Sequence, residues 1–511
     1  MADKEFSYNE VTYPSYVFPQ TSPERLAAVA IFHGSEPADP EHCRFLELGC
    51  GNGANLLLHA SNFPDSEFTG IDLAAEHIKE GEAFREELDI QNLKLIQMDV
   101  MNFTGGEFGR FDYIIAHGLY SWVPDLVRDK VDSIFGECLS QNGVGYISYN
   151  VYPGCHAREM IWNMLRYHSR KAERPIDKLR ASLEYLKVFR EQISNPQFKA
   201  MIDQEIDTFA GREAENIFHD DLSSLNRPFY FFEFAERMSA AGLQYMCELP
   251  AMAVSDIERS SEEVAAIESL HPADLVEREQ YSDFIQMQRF RSSLICRSDV
   301  EVKREPAPEI LGRLRFFTDV RPKSDEPDVL GDGSEVFLTT TNRGFSIDHP
   351  PTKAALLFMA GSHPRSFEFD QLVEASTEVL GKEVIDDDIN VLGNFVLRLA
   401  AAGPILFRLF EPELCVEVSS RPAAARFTRW QAVNGSNSLT NQAGYNIKPN
   451  NPAVLHLVSL LDGTRGLDDL VEAMSSQYEV PDPNDKEFNE DLKTVVKTHL
   501  QQLAQCGLLI A

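Results

Sequence analysis

The segment FLELGCGNGAN, Phe45 to Asn55, runs from an apolar strand-like stretch through glycines at 49, 51 and 53 into helix-like sequence. Glycines at this spacing permit left-handed dihedrals and close approach of a ligand, and the helix start beyond them offers unpaired N–H groups. The segment therefore predicts a small-metabolite site at the carboxyl edge of a sheet. Downstream, Phe68 to Ile71, Leu93 to Ile96, Tyr113 to Ala116 and Val144 to Tyr149 are further short apolar or β-rich runs, each separated by enough chain for a crossover helix. One such helix, Ala74 to Leu88, sets Ala74, Ile78, Gly81, Phe84 and Leu88 on one face with Glu and Lys opposite. The predicted fold is α/β, a Rossmann-like doubly wound sheet.

After Pro153 the chain becomes long, charged helical sequence to about Gly211, which reads as an insertion. The alternation then resumes: a helix near Phe231 to Ala241, a strand near Gln244 to Leu249, a helix near Glu262 to Ser269 and a strand from Ser292 to Arg297. The first domain accordingly spans 1–156 and 212–300 around a helical insertion at 157–211, and 301–343, opening on VEVKREPAPE, reads as a linker. Beyond it lies an internal repeat. GFSIDHPPTKAALLFMAGSHPRSFEFDQLVEA begins at Gly344 and GYNIKPNNPAVLHLVSLLDGTRGLDDLVEA at Gly444, and each copy ends in a third helix, a glycine and a strand. Three helices and a β-ribbon make a winged helix, so 344–420 and 421–511 are read as tandem winged-helix-like α+β domains.

Charge narrows the partners. The 511 residues hold 80 acidic and 47 basic side chains, a formal net charge of −33. Such a surface repels phosphate backbones, and the would-be recognition helices carry few Arg or Lys, so nucleic acid is not expected and a basic protein or peptide is. No apolar run approaches the roughly 18 residues of a membrane span. The first residues, MADKEFSYNE, lack a signal peptide, and the eight cysteines form no CxxC pair, so the reading is a cytoplasmic protein with free thiols and no metal.

Gly49, Gly51 and Ala54 satisfy the dinucleotide pattern GxGxxG/A, but Glu47, two residues before the first glycine, suits a cationic ligand better than a pyrophosphate. E-x-G-x-G-x-G resembles motif I of the class I S-adenosylmethionine methyltransferases. That resemblance implies a turn of Glu47, Gly49, Cys50, Gly51, Asn52 and Gly53 around S-adenosylmethionine (product S-adenosylhomocysteine), with Asp72 in GIDL on the ribose hydroxyls beside Leu73. It further implies Asp99 in QMDV and the Val100 N–H on the adenine, and His117 and Gly118 beside the methionine and methyl. The N-terminal YPSYVFPQTSPERLA, with IIAHGLYSWVP, YISYNVYPG and HDDLSSLNRPFYFFEFAERMSAAGLQYM, extends the resemblance to methyltransferases with a helical regulatory domain and a winged-helix C-terminal domain. The rickettsial protein-lysine methyltransferases of outer-membrane proteins belong to that group. In many class I enzymes the segment before the first strand is a lid, here with Tyr13, Tyr16, Phe18 and Gln20; Gln20 and Arg25 are placed to reach the methionine carboxylate.

Methyl transfer is an in-line displacement that needs positioning but neither metal nor covalent intermediate. A lysine nucleophile must first lose a proton, which costs roughly 4 to 5 kcal/mol at pH 7. Candidates to orient the amine are Tyr120 and Trp122 after the fourth strand, and Tyr149, Asn150 and Tyr152 after the fifth. The bland alternatives are that Trp122 staples the helix starting near Pro124 and that Tyr146 and Tyr149 flank a buried strand. Three functions fit: a protein-lysine methyltransferase, a small-molecule or natural-product methyltransferase whose extra domains form a homodimer, and an S-adenosylmethionine sensor without turnover.

Overall fold

A computed structural model describes residues 16–210, 212, 214–223, 225–249, 261–339, 342–415, 417–449, 451–475 and 486–511. Tyr13 lies outside these residues. The chain opens with helix α1 (Pro23–Phe32), capped by the Ser22 hydroxyl, which accepts from the Arg25 N–H at 3.1 Å. Its sequence, PERLAAVAIF, is apolar on nearly every face, and Leu26 through Phe32 are all buried. A helix of that kind needs cover on more than one side.

The α/β body follows in chain order: β1 (Arg44–Leu48), α2 (Ala54–Asn62), β2 (Glu67–Asp72), α3 (Ala75–Glu87), β3 (Leu93–Gln97), α4 (Gly105–Phe108), β4 (Phe111–Ala116), α5 (Asp125–Cys138) and β5 (Leu139–Asn150). Four helices intervene, α6 (Cys155–Ser169), α7 (Pro175–Gln192), α8 (Pro196–Ala210) and α9 (Ala214–Asp221). Then come α10 (Phe231–Ala240), β6 (Leu243–Glu248), α11 (Ser261–Ser269), α12 (Leu275–Gln286) and β7 (Phe290–Arg297). The seven strands form one sheet in the order β3-β2-β1-β4-β5-β7-β6, parallel except for β7, which runs antiparallel to both neighbours. The strand order reverses between β1 and β4, and ligands of open α/β sheets bind outside the carboxyl ends at that point.

One face of the sheet packs on α1, α2 and α3, the other on α5 and α10. The intervening helices build a small core of their own from Ile161, Leu165, Leu179, Leu186, Ile202 and Ile217. Buried Asp221 ties α9 to α6, accepting from the Trp162 indole at 2.6 Å and Arg158 at 3.0 Å, and Glu205 on α8, 2.6 Å from Arg289, pins the helices to the body. Arg291 on β7 is buried among three carboxylates, Glu248, Glu279 and Asp283, at 3.0, 3.1 and 2.8 Å. That cluster ties α12 to β6 and β7.

The repeat is present as three helices in each of two modules, the second preceded by one more helix. The first contains α13 (Pro350–Gly361), α14 (Phe369–Leu380) and α15 (Asp386–Ala401). Its small sheet takes its central strand, Arg315–Phe317, from the stretch read as a linker, flanked by Phe367–Glu368 and Leu406–Arg408. A second ribbon pairs Glu335–Leu338 with Gly344–Ile347, so 301–343 is built into this module. The second module contains α16 (Arg426–Val433), α17 (Pro452–Leu460), α18 (Leu467–Ser475), α19 (Lys486–Gln505) and a hairpin of Leu439–Thr440 with Asn446–Ile447. It has a separate core. The first module supplies the missing cover for α1: Phe32 stacks on Phe407 at 4.8 Å, and the Arg25 guanidinium donates to the Phe407 carbonyl at 2.8 Å. Arg25 is thereby committed to this interface and does not serve a methionine carboxylate. No helix among the described residues is long and apolar enough to cross a membrane.

Candidate active site

The turn after β1 is held against β2, with the Gly49 and Cys50 N–H groups both donating to the Ile71 carbonyl at 2.9 and 3.1 Å. Gly51 (φ +57°) and Gly118 (φ +67°) are left-handed, and a Cβ on either would meet nothing within 4 Å. Both therefore turn bare backbone toward open space, as a ligand-lining turn must. Gly81 on α3 is required for another reason: a Cβ there would lie 2.2 Å from the Asn52 carbonyl oxygen, so only glycine lets α3 pack on the turn. The Asp72 carboxylate accepts from the Gly51 and Ala74 N–H groups at 2.9 and 2.8 Å, which fixes it at the crevice edge. Asn52 donates to Glu80 at 2.9 Å. Leu73 and Asp99 are exposed beside Asp72 and beyond β3, and Asp99 accepts from the Met101 N–H at 2.9 Å while Val100 is half-buried.

Under the N-terminal segment the site is drier. Glu47 is 3 % exposed, and its partner is the neutral amide of Asn55, 3.4 Å from both carboxylate oxygens. Burial without a cation pushes its pKa up to about 8. Asn55 also donates to the Thr21 hydroxyl at 3.0 Å and accepts from the Phe18 N–H at 3.0 Å, so residues 17–21 lie across the end of β1. The Phe18 ring rests 3.9 Å from the His117 ring. The Gly118 N–H donates to Ser148 at 2.9 Å. The Tyr146 hydroxyl donates to Ser292 at 3.0 Å, lies 3.0 Å from His117 Nδ1 and also meets the Gln20 side chain. With the Tyr146 proton committed to Ser292, Nδ1 is the protonated imidazole nitrogen and Nε2 presents a lone pair. Burial depresses the His117 pKa to about 4, so the ring is neutral at pH 7.

Three stretches of the chain match family models: "Methyltransferase domain" over 46–144, "Predicted methyltransferase regulatory domain" over 213–297, and "PKMT, C-terminal winged helix domain" over 420–508. A Rickettsia prowazekii (strain Madrid E) protein, RP789, is 31% identical over 409 residues, 78% of this chain and 73% of that protein. A second from the same organism, RP028, is 32% identical over 235 residues, 46% of this chain and 94% of that protein. The structure of PKMT2 from Rickettsia typhi in complex with AdoHcy superposes with a TM-score of 0.86 at 25% identity, covering 98% of this chain and 100% of that one. The chain belongs to the class I S-adenosylmethionine-dependent methyltransferases.

Residues around this turn of the methyltransferase could hold its cofactor. A buried carboxylate that lacks a cation, Glu47, suits the ammonium of the methionine portion, and Asp72, each of whose oxygens accepts one backbone N–H, retains acceptor capacity for ribose hydroxyls. Gly51 and Gly118 leave room between them. Among the described residues no cluster of His, Cys, Asp and Glu has the arrangement of a metal site. Tyr16, half-buried, and Gln20 belong to the segment lying over this site.

The candidate nucleophile-orienting residues separate. Tyr120 is fully buried between α5 and α10, its hydroxyl donating to Asp132 at 2.7 Å and accepting from Arg237 at 2.9 Å. Tyr149 is equally buried, stacked on Phe234 at 4.2 Å and bonded to Ser293 at 3.0 Å. Both are therefore committed to packing and hydrogen bonding on the α10 face, and the expectation that they orient an amine is corrected. Tyr152 turns toward the insertion, stacking on His156 at 4.1 Å and donating to Glu159 at 2.9 Å. Asn150 is different. Its amide N–H is anchored on Asn226 at 2.9 Å, and its Oδ1 carries no hydrogen bond among the described residues. Trp122 is half-buried, and its indole N–H has no partner among them either.

Sequence reasoning passed over Tyr146, Ser148, Ser292 and Asn55. The signal was there: YISYN puts Tyr146, Ser148 and Asn150 on one face of a strand buried on both sides, and polar residues on such a face call for a ligand or partner. Ser292 was out of reach, because it meets Tyr146 only through antiparallel pairing across 146 residues of chain.

Proposed function

We propose that the enzyme methylates lysine side chains of a protein substrate. One observation carries this reading: the likeness to PKMT2 extends over 98% of the chain, through the insertion and both C-terminal modules, and is not confined to the cofactor domain. We read PKMT as protein-lysine methyltransferase. The net charge of −33 favours a basic polypeptide as the acceptor.

Bound S-adenosylmethionine supplies an electrophilic methyl on a sulfonium. The chain must hold a neutral amine in line with it, near 3 to 3.5 Å, and good alignment is worth roughly 7 to 11 kcal/mol of the barrier. His117 directly follows β4 and bonds Tyr146, and Asn150 ends the adjacent β5 on the face that carries Tyr146. Their Nε2 and Oδ1 acceptors are suited to take the two N–H groups of a lysine amine, leaving its lone pair for the methyl. A neutral His117 does this without repelling either the sulfonium or an approaching ammonium.

The test is incubation with radiolabelled S-adenosylmethionine and a cell extract, followed by nuclease, protease and amino-acid analysis of the labelled material. Label that resists nuclease, yields to protease and elutes as methyl-lysine is the expected result. Label confined to small molecules, or to another amino acid, overturns the lysine reading.

A further inference from the structure

The lid segment, residues 17–21, touches the cofactor domain through Phe18, Gln20 and Thr21. Its outer side touches the second C-terminal module. Asn446 on the module's hairpin donates to the Val17 carbonyl at 2.7 Å. The hairpin comes close enough for this because its turn residue, Gly444 (φ +85°), backs onto the lid: a Cβ there would lie 3.1 to 3.2 Å from Pro19 and 3.6 Å from Val17. The orientation of the Asn446 amide is set within the module. Its Oδ1 accepts from the Thr440 hydroxyl at 2.9 Å, and that hydroxyl accepts from Gln431 at 2.9 Å, so the amide N–H is aimed outward at Val17. Thr440 and Gln431 are buried, and Val17 is 2 % exposed. Asn446 itself is exposed, so the bond is part-buried, held on the Val17 side by a buried acceptor, and it belongs to an oriented chain running from α16 to the lid.

We infer that Asn446 is a positioning residue of the cofactor site: by holding Val17 it keeps Phe18 against His117 and Asn55, and so makes the C-terminal module a determinant of cofactor retention. Nothing in this depends on which acceptor receives the methyl group. The module is anchored separately to the cofactor domain by Trp430, whose indole donates to Glu87 at 2.7 Å and whose ring meets Phe84 at 4.6 Å, so docking of the module and holding of the lid can be separated.

The experiment compares wild type, Asn446→Ala, Asn446→Asp and Trp430→Phe in the full-length protein. The readouts are S-adenosylhomocysteine affinity by calorimetry, its dissociation rate by stopped-flow fluorescence, and hydrogen exchange at the Phe18 and Thr21 amides. Asn446→Ala should weaken binding ~3- to 10-fold, the range of one hydrogen bond, through faster dissociation and with faster lid exchange. Asn446→Asp, which sets a carboxylate against the Val17 carbonyl, should weaken it further. Trp430→Phe, which loses a different inter-domain bond, should stay within about twofold of wild type. Wild-type affinity and lid exchange in Asn446→Ala overturn the inference, as does an equal loss in Trp430→Phe, which would make docking alone responsible. If Asn446→Ala does not fold, the Asn446→Ser variant answers the same question by the same readouts.

Discussion

Replacing Glu47 by Gln isolates the electrostatic logic of the site. The wild-type carboxyl is buried beside a neutral amide and has a pKa of about 8, so at pH 7 about 0.9 of the ligand-free protein carries the proton. Pairing with the cofactor's ammonium requires the carboxylate, which costs about 1.4 kcal/mol at pH 7 and about 2.7 kcal/mol at pH 6. Binding of S-adenosylhomocysteine should therefore release close to one proton at pH 7, and affinity should climb about 50-fold from pH 6 to pH 8. Titration calorimetry in two buffers of different ionisation enthalpy measures the proton directly. In Glu47→Gln both the release and the slope should vanish and affinity at pH 8 should fall. The same group sets a stability trend in the ligand-free enzyme. Its folded pKa lies above the unfolded value near 4.5, so its contribution is complete below that value and is lost as pH rises through about 8. Denaturation midpoints of wild type should fall across that window more steeply than those of Glu47→Gln. An unchanged proton count and an unchanged pH slope in the variant would refute the assignment of Glu47 to the cofactor's cation.

Tyr120→Phe should lower stability by ~1 to 3 kcal/mol, because Asp132 and Arg237 lose a buried partner, while S-adenosylhomocysteine affinity and turnover stay near wild type; a selective loss of turnover would return Tyr120 to the active site. His117→Ala should lower kcat by on the order of 10²-fold through lost alignment of the amine. In wild type, NMR of labelled histidine should show His117 titrating near pH 4 and flat from pH 5 to 8, and a midpoint near 6.5 would contradict its burial. Arg291→Met should destabilise by roughly 3 to 5 kcal/mol by stranding three buried carboxylates, measured as a shift in denaturation midpoint.

The turn motif was legible because its requirements are local. Left-handed glycines, a carboxylate two residues earlier and a following helix sit within a dozen residues, and each is demanded by contact with a ligand whatever the rest of the chain does. The acidic residues closing β2 and β3 were legible for the same reason. The tyrosines were not. Tyr120 and Tyr149 have the composition of a substrate pocket, and the question of which face of the sheet each takes is settled by helices far along the chain: α10 supplies Phe234 and Arg237, 114 and 117 residues beyond Tyr120. The stretch 301–343 read as a linker because its strands are two to four residues long, and the partners of its central strand, Arg315–Phe317, arrive only after later helices.

Local sequence alone determined a ligand-lining turn at the edge of a parallel sheet, since periodicity and glycine spacing encode strand, turn and helix before any tertiary contact forms; the sulfonium nucleoside entered through the resemblance of that motif to the methyltransferases. It also determined the repeated three-helix modules, whose apolar faces recur at matching positions. Tertiary structure alone decided which polar atoms remain unsatisfied at that edge. His117 Nε2 and Asn150 Oδ1 are available because Tyr146 and Asn226 have claimed the other groups. It also decided that the lid is held from outside by Asn446, more than 400 residues away in sequence. Hydrogen-bond satisfaction is a property of the whole packed molecule, and no window of sequence contains both partners.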